Sequence, residues 1–348
     1  MNSYERVLSV LNREEPDRVP TFEWLIDQVV ITGMCGKNCS LEQFVDEMDI
    51  DGIVATADNK KEVIGENHFI DEWGIEKKSV YTDPLPMAIR SPISNKNDLR
   101  RLRIPNPHAP FRMNSLREIV KRYKGKKAIV FQVRDGFSTA RDLLGFDKVL
   151  MGMLDDPIFI RELVEISTEY YLKLATWAIE EGADIIFSGD DLADNRGPLF
   201  NPRLYKEIFL PGFKRLVDGI KTAGAYYIKH TDGNVWELIP YFIEAGVDCL
   251  DPIEKPANMD MRKVKKEYGT YLVLKGNIDC RYTLTQGTAE DVRAEVRQCI
   301  AEASFGGGHI ISSSNSIHSG VNPDNYAVML ESIREYGTYP INENFLKD

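Results

Sequence analysis

The sequence predicts an α/β protein of the (β/α)8 barrel (TIM barrel) class, and two observations carry that expectation. Eight short apolar runs alternate with amphipathic stretches at helical spacing along the chain. Seven of those runs end in a polar cluster, as barrel strands do where an active site opens. Alternation at this spacing implies parallel strands joined by right-handed crossovers. Eight such units close on themselves more naturally than they extend an open sheet. A length of 348 residues suits a barrel with insertions.

The elements follow in order. Arg6 to Asn12 carries Val7, Leu8, Val10 and Leu11 at helical spacing, and Glu14-Glu15-Pro16-Asp17-Arg18 breaks that helix. The first strand is predicted at Val19–Glu23. The others are predicted at Gly52–Ala55, Ala128–Val133, Ala183–Ser188, Ala225–His230, Val247–Asp251, Tyr271–Lys275 and His309–Ser312. Helical stretches between them include Asp156–Glu180, Pro202–Thr222, Val235–Glu244, Met261–Tyr268 and Ala289–Ala303. Phe69–Tyr81 reads as a hairpin inserted after strand two, with the Pro-rich stretch Pro84–Pro110 as irregular connection in the same insertion. No linker or repeat divides the chain, so residues 1–348 are expected to form one domain.

Composition narrows the function. Hydrophobic residues make up 43% and charged ones 28%, which is ordinary globular usage. A net charge of -11, from 43 basic and 54 acidic residues, repels nucleic acid and anionic membrane, so neither is expected as a partner. The polar opening Met1-Asn2-Ser3-Tyr4-Glu5-Arg6 has no apolar region behind it, so no signal peptide is expected. Nor does any apolar run approach the ~20 residues that span a bilayer. Five cysteines, an odd number thinly spread, fit a reducing cytoplasm better than a disulfide framework.

Chemistry is expected at the strand ends. These carry Glu23; Gln132 and Arg134; Ser188-Gly189-Asp190-Asp191; His230-Thr231-Asp232-Gly233-Asn234; Asp251-Pro252-Ile253-Glu254; Gly276-Asn277-Ile278-Asp279; and Ser312-Ser313-Ser314-Asn315-Ser316. In a barrel all seven converge on one mouth, where such density is costly unless the groups are paired, solvated or liganding. Plainer readings stand beside this one. Asp190 and Asp191 also read as helix caps, Gly233-Asn234 as a turn, and a lone His230 as a satisfied barrel histidine. The His-x-Asp spacing favours function, because a strand puts both side chains on one face. Cys35 and Cys39 resemble half a zinc site, but no second Cys/His pair lies at finger spacing, so they are expected to be structural. Gly306-Gly307-Gly308 precedes a strand and is not a dinucleotide fingerprint.

Several motifs together carry a resemblance. They are Arg6-Val7-Leu8 through Pro20, Leu144-Gly145-Phe146, the Asp190-Asp191 turn, His230 to Asn234, Glu244 to Asp248, Gly276 to Asp279 and Asn322-Pro323-Asp324-Asn325. In this order the chain resembles the uroporphyrinogen decarboxylase superfamily from end to end, which implies a (β/α)8 barrel. The superfamily holds two chemistries. Its decarboxylases hold a polycarboxylate tetrapyrrole with an arginine-rich segment after the first strand. Here that segment, Phe22-Glu23-Trp24-Leu25-Ile26-Asp27, has no arginine. His318 sits where the decarboxylases carry a histidine near the last strand, so it does not discriminate. The other branch moves methyl groups to or from a cobalamin protein, and its coenzyme M-directed members hold zinc with a His-x-Cys motif and a later cysteine. This chain keeps His230 but has Asp232 for the first cysteine and Ser314–Ser316 at the second, which argues against thiolate zinc and leaves an oxygen-rich site open.

The chain is similar to first-step methyltransferases with which anaerobes demethylate phenyl methyl ethers. That resemblance implies a small-molecule methyl donor and a partner corrinoid protein carrying cobalamin, with zinc as an optional ion. A uroporphyrinogen decarboxylase-type activity is the alternative. The implied catalytic residues are His230, Asp190, Asp191 and Glu23, with Gln132, Arg134, Asn277, Asp279, Asn315 and His318 toward substrate. Any metal would fall to His230 and Asp232, with Glu254, Glu23 or Asp190 as the further ligand. Without metal, a carboxylate would hold His230 as proton donor to the leaving oxygen.

Overall fold

The computed structural model describes residues 1–79, 86–342 and 344. Thirteen strands are present among them. β1 (Gly52–Thr56) is followed by β2 (Lys61–Gly65), β3 (His68–Asp71), β4 (Glu76–Lys78) and β5 (Met87–Arg90). Then come β6 (Ala128–Val133), β7 (Ile185–Gly189), a small pair β8 (Ala193–Asp194) and β9 (Gly197–Pro198), and β10 (Tyr226–His230). β11 (Cys249–Asp251), β12 (Val273–Lys275) and β13 (His309–Ile310) complete the set. The barrel sheet has seven strands in the order β1-β6-β7-β10-β11-β12-β13. Every pairing in it is parallel. Buried runs such as Ala128–Phe131 and Ile185–Phe187 explain this, since strands covered on both faces read as continuous apolar segments.

The expected first strand, Val19–Glu23, is present as a seam rather than as a ladder. Thr21 bridges Ile311 in parallel beyond β13, and Ile311 N–H donates to Pro20 O at 3.0 Å. On the other edge, Asp51 N–H donates to Thr21 O at 2.8 Å, while Thr21 N–H donates to the Asp51 carboxylate at 2.9 Å. Asp51, fully buried just ahead of β1, also takes Arg6 at 2.6 Å and Arg18 at 3.0 Å. Gly52 lets Phe22 approach: a Cβ there would stand 3.0 Å from the ring. Pro20 offers no N–H, which shortens the ladder at this point.

The insertion after β1 is larger than a hairpin. β2, β3, β4 and β5 form an antiparallel sheet in that order, so Met87–Arg90 adds a strand inside the stretch expected to be irregular. Short 3-10 turns follow at Lys96–Arg101 and Pro110–Met113. The last two residues of the expected hairpin, Val80 and Tyr81, lie outside the described residues. Buried Arg112 anchors this sheet through Glu72 at 2.9 Å, and Trp73 packs edge-on to Tyr170 at 4.8 Å.

Helices cover the sheet and are capped as their ends require. Asn2 and Glu5 form a capping box on Ser3–Leu11, and Asp156 with Pro157 opens the 25-residue helix Pro157–Glu181. At Tyr205–Phe209 the helix widens to π spacing, with Leu210 N–H reaching Tyr205 O, because Pro211 has no N–H to continue the α pattern. One cysteine expectation needs correcting. Cys35, at the end of helix Gln28–Cys35, is joined to Cys39 by a disulfide with Cα atoms 5.7 Å apart, where thiols were expected. The turn at Gly36 brings the two side chains together. Cys249, Cys280 and Cys299 are free and buried. Among the described residues no helix is long and apolar enough to cross a membrane.

Candidate active site

β10 ends in Lys229 and His230, and the pleat sends them to opposite faces. Lys229 turns to the helix layer, where it bonds Asp135 at 2.7 Å and lies over the Phe213 ring. His230 turns inward, against Trp24 at 5.4 Å and Phe187 at 5.5 Å. Strand register sets His230 opposite Asp251 of β11. Its Nδ1 therefore meets Asp251 Oδ2, at 2.5 Å. The other Asp251 oxygen accepts from Lys275 Nζ at 2.7 Å, and Lys275 also donates to Ser312 Oγ at 3.0 Å. Burial alone would raise the Asp251 pKa, but Lys275 and His230 hold it below the ordinary value. An ionised Asp251 fixes the proton on Nδ1 and leaves Nε2 as the working nitrogen.

Nε2 faces two carboxylates, 3.6 Å from Asp232 Oδ1 and 3.9 Å from Asp191 Oδ1. Burial tends to lower the His230 pKa, yet Asp232, Asp251 and Asp191 together raise it to about 9. Gly233 makes the turn that brings Asp232 here: its φ is +87°, and a Cβ would stand 2.6 Å from the Ala193 backbone. Asp232 Oδ2 accepts from Asn315 Nδ2 at 2.7 Å, whereas Oδ1 is buried with no hydrogen-bond partner. Burial raises the Asp232 pKa to about 6, with His230 opposing and Asp191 and Glu254 adding to the shift. One imidazole nitrogen and two carboxylate oxygens, all within 4.8 Å of one another, fit a divalent cation of hard or borderline character. The orphaned Asp232 oxygen is what such an ion would satisfy.

The sequence-derived residues divide. His230, Asp191, Asp232 and Asn315 come together as expected in the mouth. Glu23 is there as well, its oxygens taking Ser313 N–H at 2.9 Å and Ser313 Oγ at 2.7 Å. Burial pushes its pKa up to about 7 against the pull of Lys275. Glu254 departs from the expected metal set: it is buried, accepts from Gly233 N–H at 2.8 Å and pairs with Arg281, so Asp191 takes its place beside His230. Asp190 is spent on the helix Gly136–Leu144, accepting Phe137 N–H at 2.9 Å and Ser138 N–H and Oγ. That is the capping alternative, though across to the preceding β6 unit rather than onto its own helix.

Three further expectations meet the same physical answer. Asn277 Nδ2 donates to Ile253 O at 2.9 Å while its oxygen takes Cys299 Sγ at 3.6 Å. Asp279 accepts Arg281 N–H at 2.7 Å within its own turn. His318 bonds Cys280 O through Nε2 at 3.1 Å and takes Gly320 N–H on Nδ1 at 3.1 Å, which uses both ring nitrogens. These three hold backbone. Gln132 and Arg134 line a cavity of about 420 Å3 between the insertion sheet and the ends of β1 and β6, which His230 does not line. Lys275 was not anticipated, and Asp251, expected in the mouth with its strand-end cluster, had not been named as the carboxylate that holds His230. Their signal was present, since each is the last residue of an otherwise apolar strand.

Known proteins share this architecture. A methyltransferase from Methanosarcina mazei of known structure superposes with a TM-score of 0.78 over 97% of this chain and 99% of that one, at 17% identity. The methylated-thiol--coenzyme M methyltransferase of Methanosarcina mazei is 24% identical over 227 residues, 65% of this chain. That match spans 56% of the relative's own length. The uroporphyrinogen decarboxylase of Actinobacillus pleuropneumoniae is also 24% identical, over 265 residues and 70% of each chain. Residues 73–336 match the Uroporphyrinogen decarboxylase (URO-D) family model, and the chain belongs to that family.

Proposed function

We propose that this chain, acting as one unit over residues 1–348, is a corrinoid-dependent methyltransferase of the cytoplasm. It moves a methyl group from a small methylated substrate, with phenyl methyl ethers as the class, to cobalamin on a partner corrinoid protein. The observation that carries the reading is His230, held through Nδ1 by Asp251 and presenting Nε2 to Asp191 and Asp232. Breaking a methyl–oxygen bond leaves its electron pair on oxygen, and an aryl ether oxygen leaves only when protonated or polarised. His230, with its pKa raised to about 9, keeps a proton at neutral pH and can deliver it from Nε2 to that oxygen. Asp251 and Lys275 hold the ring during the transfer. Reduced cobalamin, when bound, supplies the nucleophile for the methyl carbon. A divalent ion such as zinc, held by His230, Asp232 and Asp191, would supply Lewis-acid polarisation in place of the proton. Trp24 and Phe187 exclude water from the inner side of the ring.

The test is anaerobic assay of the full chain with reduced corrinoid protein and a panel of methyl donors, read as methylcobalamin absorbance. Turnover that needs both components supports the reading. A decarboxylase is the second reading, favoured by the Actinobacillus match over 70% of both chains. Against it stands the arginine-free segment Phe22–Asp27. Carbon dioxide release from uroporphyrinogen, in proportion to enzyme, would decide for the decarboxylase.

A further inference from the structure

The cavity of about 420 Å3 beside the mouth has walls from three sources. Strand ends supply Gln132 and Arg134, the insertion supplies Trp73 and Lys77, and helix Pro157–Glu181 supplies Tyr170 and Tyr171. The rings brace one another. Trp73 meets Tyr170 edge to face at 4.8 Å, and Tyr170 meets Tyr171 in the same way at 5.0 Å. Such a preset aromatic wall suits a flat ring.

The charges add a second requirement. Arg134 Nη1 donates to Asp142 at 2.6 Å, which is the one hydrogen bond its guanidinium makes among the described residues. Its side chain remains 36% exposed and lines the cavity, and its other N–H donors make no hydrogen bond among the described residues. Lys77 bonds Asp71 at 2.8 Å, and Lys60 and Lys61 line the same space. Among the acids there, Glu72 is committed to Arg112 at 2.9 Å. Four cations, Lys60, Lys61, Lys77 and Arg134, thus line the cavity against three acids, Asp71, Glu72 and Asp142, in a chain of net charge -11.

We propose that this cavity is a recognition subsite for a flat aromatic ring bearing a carboxylate. The Arg134 fork takes the carboxylate, a geometry that a guanidinium matches and an ammonium does not. Trp73, Tyr170 and Tyr171 take the ring. Gln132 also lines a smaller cavity of about 130 Å3 with Glu23 and Trp24, and Trp24 touches His230. A ring substituent on that side therefore points along Gln132 toward the reacting centre. Only the identification of this ligand as the methyl donor rests on the methyltransferase reading; binding does not.

The experiment measures binding to the full chain by titration calorimetry, using benzoate, benzyl alcohol and cyclohexanecarboxylate. Benzyl alcohol keeps the ring without charge, and cyclohexanecarboxylate keeps the charge without an aromatic face. Benzoate is expected to bind about tenfold or more tighter than either, as a charge-assisted hydrogen bond and ring stacking imply. Arg134→Gln should erase its advantage over benzyl alcohol, and Trp73→Leu its advantage over cyclohexanecarboxylate. No benzoate binding, equal binding of benzoate and benzyl alcohol, or indifference to both folded variants overturns the proposal. Where a variant fails to fold, the comparison of the three ligands on the unaltered chain still decides. Benzoate binding without methyl transfer from any methoxylated aryl carboxylate would sink the methyltransferase reading and leave the subsite standing.

Discussion

Asp251 divides its carboxylate between His230 and Lys275, at 2.5 Å and 2.7 Å, with both acid and lysine 1% exposed. A buried charge pair of this kind is strongly destabilised when one partner is removed. Lys275→Met should therefore lower unfolding free energy by about 3–5 kcal/mol, because it removes one of the two partners of buried Asp251 and leaves His230 as the other. The double variant Lys275→Met/Asp251→Leu should recover much of that loss. Urea denaturation of the three proteins checks both statements.

His230→Ala should cut methyl transfer by about 10²–10⁴ while the far-ultraviolet circular dichroism stays that of the barrel. Asp251→Asn should cost about 10–100-fold, since it frees the ring to adopt the other tautomer. Steady-state rates with saturating corrinoid protein give both numbers. A near-normal rate for His230→Ala would make His230 structural.

Zinc should bind the isolated chain through His230, Asp191 and Asp232. His230→Ala and Asp232→Asn should each weaken that binding, whereas Glu254→Gln should leave it unchanged because Glu254 is held by Gly233 and Arg281. Equilibrium dialysis with elemental analysis measures this directly. If the bound ion is the one that polarises the leaving oxygen, chelation abolishes turnover and added metal restores it.

Glu23 gives a pH dependence with a definite sign. Its carboxyl titrates near 4.5 when exposed and is pushed up to about 7 by burial in the fold. Between those values the folded state binds more protons than the unfolded one, so stability falls as pH rises through this window. Two and a half pKa units correspond to roughly 3 kcal/mol lost by pH 7 and above. Glu23→Gln should flatten stability between pH 5 and 7, as thermal midpoints across that range will show.

Much of the barrel is legible in the sequence because its strands are buried on both faces and interrupted only at their polar ends. Val19–Glu23 misleads because its composition is that of a strand, while its pairing is limited to single contacts at Thr21 and its neighbours. The insertion shows a different limit. Val63, Ile64, Met87 and Ile89 sit exposed on its outer strands, so no buried face marks them in advance. In the mouth, His230 and Asp232 could be placed by strand periodicity. Asn277, Asp279 and His318 could not, because hydrogen bonds to backbone a turn or a strand away leave no trace in residue spacing. Asp251 and Lys275 carried the opposite error: a charge at the end of an apolar strand reads as a boundary, and here it is half of a buried pair.

The seam at Thr21 gives the two walls of the mouth unequal stiffness. His230, Asp251 and Lys275 ride on adjacent strands of a continuous ladder, so their mutual geometry is stitched at every rung. Glu23 and Trp24 ride on a segment tacked at isolated points to Asp51 on one side and to Ile311 and Ser313 on the other. Loosening those tacks would reach the histidine only through the Trp24 ring that packs on it, not through the ladder. The two walls of the mouth are thus held unequally, the Glu23 wall by isolated contacts and the His230 wall by a continuous ladder.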